Sequence, residues 1–212
     1  MDASIQTYLT HVRRVHARQG HVTDFRALAS RLGIVVTPGR ANYAAYGDPP
    51  VISLTPYEFG QRRNFTGMHE IAHLLLQECG VEAELIRECG SLDEALPTIE
   101  ALTNFAAGLL LMPAPLMRQA LDRHGLTARA VLHLWQRSPA SLGAALRRFV
   151  FDDPGAHVAA FTTSGSYIAD VATCNARLPF WRYDRVPEVA GLLPEASLLV
   201  LTPRRMVGVV AW

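Results

Sequence analysis

Five consecutive residues a third of the way along the chain, His69-Glu70-Ile71-Ala72-His73, combine side chains that together can hold and use a metal ion. On a helix, His73 falls about 40° round from His69 and one turn along. Two imidazoles at that spacing reach a single divalent cation such as Zn²⁺ at ~2.0–2.1 Å. Glu70 is turned about 100° from His69, too far to be a third ligand. It is well placed to take the proton of a water attacking a carbonyl. The H-E-x-x-H pattern arises by chance in roughly one chain of this length in a hundred, so its surroundings decide. Phe65, Met68, Ala72 and Leu75 form one apolar stripe, and Leu74–Leu76 close the motif. Beside such a core, two histidines and a glutamate are expensive unless something pairs them. A metal supplies the pairing.

A hydrolytic metal site takes a third protein ligand and leaves one position open. Candidates downstream are the six acidic residues of 78–97, Glu100, and His124, His133 and His157. Glu100 stands out because it opens a largely apolar helical run and shares a face with Asn104, four residues on. A carboxylate ligand steadied by a neighbouring amide suits a metal site. A favourable charge near a helix N-terminus explains the same glutamate. The third ligand therefore stays open on these residues alone. Tyr43, Tyr46 and Tyr57 are candidates to stabilise an oxyanion beside the metal, although packing is the commoner use of such residues. The apolar stretch Val51-Ile52-Ser53-Leu54 is either a core strand or the edge along which an extended substrate adds as a further strand.

Apolar spacing predicts helices over 2–18 and 23–32, the second capped by Thr23, and a helix from Pro56 to about Gln77 that carries the motif. Strands are expected at 34–37, 41–46 and 51–54. Residues 78–97 form a polar connection, either a functional loop or a segment with helix of its own. Pro97 suits the first turn of the next helix. Further helices are expected at 113–123, 127–135 and 139–149, the last two joined by a tight turn. After Asp152-Asp-Pro-Gly155 the texture changes to strands at 157–161, 166–171, 197–200 and 206–211. The expectation is an α+β protein with a catalytic core over 1–125, a helix-turn-helix-like segment over 126–152 and a small β-rich unit over 156–212.

Half of the 212 residues are hydrophobic and 18% are charged, which is a globular composition. A net charge of +1 excludes strong general attraction to nucleic acid or anionic lipid. Arg137, Arg147 and Arg148 make only a weak electrostatic footprint, so direct DNA binding by helices 127–149 is not expected. Those helices are expected to pack on the catalytic core or touch a protein substrate. Cys79, Cys89 and Cys174, odd in number and without metal-type spacing, point to inert reduced thiols. The N-terminus lacks the apolar core of a secretory signal, and no apolar run is long enough for a membrane span. A cytoplasmic protein is expected.

The segments Arg63–Leu76 and Glu100–Pro113 together resemble the ImmA/IrrE metallopeptidases. In that family a helix with H-E-x-x-H precedes one with E-x-x-x-N-x-x-A that ends in Met-Pro. The resemblance extends over about 25–150, where Ala29–Ile34 matches an A-x-x-L-G-I segment. It implies a zincin-like core, with His69, His73 and Glu100 as ligands of one Zn²⁺, replaceable by Mn²⁺, and Glu70 as the base. Asn104 is then the residue that supports the ligand set. It also implies a bacterial or phage-associated endopeptidase that relieves repression by cleaving a helix-turn-helix repressor. One branch carries a GAF-like sensor domain, for which the β-rich tail here is too short. The competing class is a DNA- or repressor-binding regulator with a structural zinc site, which would need neither a base nor an open coordination position.

Overall fold

The computed structural model describes residues 2–57 and 60–212, a mixed α+β chain that divides into two compact units, Met1–Pro113 and Ala114–Trp212. The first contains α1 (Asp2–Arg18), α2 (Phe25–Arg31), β1 (Val35–Pro38), β2 (Tyr43–Ala45) and β3 (Val51–Leu54). These are followed by α3 (Gly60–Glu78), α4 (Val81–Cys89) and α5 (Leu92–Leu111). Of the helix expected from Pro56, residues 58 and 59 lie outside the described residues.

Two helix starts differ from expectation, each for a local reason. Asp24, not Thr23, caps α2, because its carboxylate accepts the Ala27 N–H at 2.9 Å. In α5 the Ser91 hydroxyl accepts the Glu94 N–H, so the helix begins at Leu92 and Pro97 falls in its interior. Pro97 cannot donate the bond that would reach the Asp93 carbonyl, a loss made milder by its exposed position. The polar connection at 78–97 is thus mostly helix.

The three-stranded sheet has the order β1-β3-β2, with β3 parallel to β1 and antiparallel to β2. This corrects one reading of Val51–Leu54. The strand is central and not an edge, and Ile52, Ser53 and Leu54 are buried. Its run of apolar residues without alternation is what a strand covered on both sides requires. The free edges of this sheet belong to β1 and β2.

Helix α3 is pinned on several sides. It packs along α5, and the fully buried Tyr8 of α1 donates its hydroxyl to the Ala72 carbonyl at 2.9 Å. Burial holds that phenol well above its ordinary pKa, so it stays a donor. Asn64 accepts the Phe25 N–H and donates to the Thr23 carbonyl, both at 2.9 Å, which satisfies the start of α2. One turn on, Gly67 leaves room for the Phe25 ring, since an added Cβ would stand 2.3 Å from it.

The second unit contains α6 (Ala114–His124), α7 (Ala128–Arg137), α8 (Leu142–Val150), β4 (Val158–Ser164) and β5 (Tyr167–Cys174). A short α9 (Val189–Leu192) precedes β6 (Ser197–Thr202) and β7 (Arg205–Ala211). The sheet is antiparallel in the order β5-β4-β7-β6. Helix α8 packs on β4 and β5, and α7 on β6 and β7, so these helices cover the C-terminal sheet. The change of texture at 152–156 is real, but compactness divides the chain earlier, after Pro113. Phe161, Ile168, Phe180, Val189, Leu193 and Val210 form a further apolar cluster within the unit.

Gly67→Ala is expected to destabilise the protein by about 1–3 kcal/mol, the usual penalty for overpacking a closed contact. Denaturant melts measure this. A loss below ~0.5 kcal/mol would show that the α2–α3 contact yields easily.

Candidate metal centre

Helix α3 presents His69 and His73 one turn apart, and α5 brings Glu100 to them. The two Nε2 atoms lie 3.1 Å apart. Glu100 Oε2 is 3.4 Å from His69 Nε2, and its Oε1 is 3.4 Å from His73 Nε2. One ligand atom from each of the three falls within 4.8 Å of the others. The imidazoles are edge to face, with centroids 4.6 Å apart, and Phe65 stacks on His69 at 6.3 Å.

Donor spacing tests whether these residues fit a metal. Ligands at ~2.0–2.1 Å on the corners of a tetrahedron stand roughly 3.3–3.4 Å apart. The observed separations match that spacing closely. Protonation points the same way. Burial lowers the His69 pKa, against the raising effects of Glu100 and of Asn104 beside it. Burial and then His69 lower the His73 pKa, and Glu100 again opposes. Neutral imidazole is the form that binds metal. The His69 Nδ1 is buried without a hydrogen-bond partner.

Glu70 is 5% exposed, a buried carboxylate next in sequence to a cluster residue. Asn104 lies beside His69, where it opposes the effect of burial on the imidazole. The other acidic and histidine candidates lie outside the cluster. Glu78 meets His11 at 3.2 Å, and Glu82, Glu84, Asp93 and Glu94 occupy first turns of α4 and α5. His133 lies beside His124 and 3.3 Å from the Gln119 carboxamide, while His157 is exposed. Tyr43 is half exposed on β2, and Tyr46 and Tyr57 are more exposed still. Tyr46 lines a cavity of about 350 Å³ with Arg18, Leu74 and Glu78, on residues of α3 other than the cluster histidines.

Sequence reasoning missed Tyr8, Asn64 and Phe65 as the residues that hold the histidine helix and ring. Asn64 carried a signal, being a polar residue next to the apolar stripe of α3. Tyr8 did not, since a tyrosine on an amphipathic helix is ordinary. Of the arginines at 137–148, Arg147 pairs with Asp170 at 2.8 Å and the buried Arg148 with Asp152. Cys79, Cys89 and Cys174 are free thiols. Among the described residues no single helix is long and apolar enough to cross a membrane.

A family model described as the IrrE N-terminal-like domain, peptidase M78, matches residues 29–149. The radiation response metalloprotease IrrE of Deinococcus radiodurans is 35% identical over 86 residues, which are 41% of this chain and 26% of that protein. Its namesake in Deinococcus deserti is 40% identical over 87 residues, 41% of this chain and 31% of that one. The chain thus aligns with less than a third of either relative. A Mycobacterium tuberculosis transcriptional regulator shares the fold, with a TM-score of 0.56 at 14% identity over 95% of this chain and 74% of that one.

The cluster is expected to bind one divalent ion per chain, read by elemental analysis after dialysis. Glu100→Ala should lower the affinity by at least ~10-fold, and acidification should release the ion as protons compete for the imidazoles. Because burial lowers both histidine pKa values, release is expected only below the ordinary histidine value of about 6.5. Full occupancy in Glu100→Ala, or release already above that pH, would contradict the assignment.

Proposed function

This chain belongs to the IrrE N-terminal-like family of peptidases, and on that footing we propose that it is a zinc-dependent, site-specific endopeptidase cleaving a helix-turn-helix transcriptional repressor. The setting we assign is a bacterial stress or mobile-element response. The observation that carries the reading is the convergence of His69, His73 and Glu100 at metal-ligand spacing, with the buried Glu70 next to it.

His69, His73 and Glu100 would hold the ion, with Asn104 beside His69. A zinc ion bound there supplies Lewis-acid polarisation of a peptide carbonyl and acidifies water. Glu70 accepts the proton of the attacking water and returns it to the departing amine, which keeps the step neutral overall. Glu70 is largely withdrawn from bulk solvent, where its charge acts with less screening. The repressor backbone is taken up along the free edge of β2, which packs against α3 and carries Tyr43. Of the three tyrosines, Tyr43 is the one that this strand carries, and we assign it the donor to a developing oxyanion.

Glu70→Gln should retain metal and fold while cleavage of the repressor falls roughly 100-fold to 10,000-fold, because the amide cannot take a proton. His73→Ala should instead lose metal and some stability. Mass analysis of fragments after co-expression with the repressor, together with metal content, reads both. A metal-loaded Glu70→Gln protein that cleaves at the wild-type rate would remove the mechanism.

A further inference from the structure

The C-terminal sheet has two edges, and the chain treats them differently. At the start of β5 the loop after Phe180 takes up outer backbone groups. The Tyr183 N–H donates to the Ile168 carbonyl at 2.8 Å, the Ile168 N–H to the Asp184 carbonyl at 2.9 Å, and the Val186 N–H to the Ser166 carbonyl at 2.7 Å. Tyr167 and Arg185 add an isolated β-bridge. Strand β6 lies at the opposite edge and pairs with β7 on one side. Among the described residues no strand pairs with its other side.

Edge strands are ordinarily guarded by charges, prolines or a covering segment, because their unpaired N–H and C=O groups template another strand. The sequence of β6, Ser197-Leu-Leu-Val-Leu-Thr202, holds neither a charge nor a proline. Its pairing with β7 is regular from Ser197 to Val200 and shifts only before Thr202. Leu198 packs on the apolar cluster of the unit, while Val200 is 69% exposed. Leu199 and Leu201 border a cavity of about 340 Å³ with Leu132 and Trp135 of α7. The charges that bracket the strand indicate what pairs with it. Exposed Glu195 lies just before β6, and exposed Arg204 and Arg205 lie just after it.

We propose that β6 is the interface of a symmetric homodimer, in which two copies join their C-terminal sheets edge to edge. Antiparallel pairing of β6 with its own copy sets the start of each strand against the end of the other. With the two-fold axis at Val200, Glu195 of one copy meets Arg205 of the other, with Arg204 next to it. The same contact recurs at the far end, so the two copies are complementary twice. In-register parallel pairing would instead set glutamate against glutamate and arginine against arginine, which is unfavourable. An extended peptide from another protein would gain the backbone bonds without this match of charge. A single strand pair is smaller than the ~1,600 Å² of a standard interface, so the association is micromolar.

Sedimentation velocity of the full chain, from about 1 µM to about 200 µM, tests this and should show monomer giving way to dimer. Val200→Lys sets two like charges across the axis and should weaken the dimer at least ~10-fold. Glu195→Lys should weaken it similarly, as should Arg204→Glu combined with Arg205→Glu, since each change sets like charges together at both ends. An equimolar mixture of the Glu195→Lys chain and the doubly substituted chain should regain the dimer, because each end again joins opposite charges. That rescue separates loss of pairing from loss of folding. A wild-type monomer throughout the range, a dimer that either charge change leaves intact, or a mixture that stays monomeric would overturn the proposal.

Discussion

Two imidazole nitrogens 3.1 Å apart, with a carboxylate oxygen 3.4 Å from each, crowd several lone pairs into one small volume. Neutral imidazoles leave Glu100 without a cationic partner, and desolvation makes protonation of the rings unfavourable. A divalent cation removes the conflict, and much of the first unit is organised so that the conflict cannot relax. Tyr8 holds the middle of α3 from one side, Asn64 and Gly67 lock α2 against its start, and α5 lies along its length. An array of donors that would drift apart in a looser protein is kept at ligand distance by a packed core.

The parts of this arrangement legible in the sequence are those set by local periodicity. The i, i+4 histidines, their apolar flank and the Glu100–Asn104 pair follow from helical geometry alone. Helices over 2–18 and 114–124 and strands at 51–54 and 206–211 lie close to expectation for the same reason. What failed depended on partners distant in sequence. Val51–Leu54 looks the same in one dimension whether it is central or an edge, since only pairing with β1 on one side and β2 on the other decides it. Thr23 and Asp24 are both competent caps, and Asn64, some forty residues away, takes the Thr23 carbonyl. Pro97 misled because a serine six residues earlier had already begun the helix.

The arginines of the second unit divide in a way that their number does not foretell. Those on α8 are spent inside the unit, on Asp152 and Asp170, and serve to fasten a helix. Those on the loops at the sheet end remain exposed beside aromatic rings. Net charge averages over both populations, so a value near zero says little about any one face.

Because the three cluster residues come from two helices separated by α4, the order of synthesis matters. A chain emerging from the ribosome displays both histidines and Glu70 well before Glu100, and α5 is complete only at Leu111. Until then the cluster lacks its carboxylate and the histidine helix lacks the neighbour that packs along it. A nascent or truncated chain ending before residue 100 therefore carries the whole pentapeptide motif without the three-donor pocket. The separation of the donors in sequence makes the three-donor pocket a late product of synthesis, complete only once α5 has followed α3 and α4.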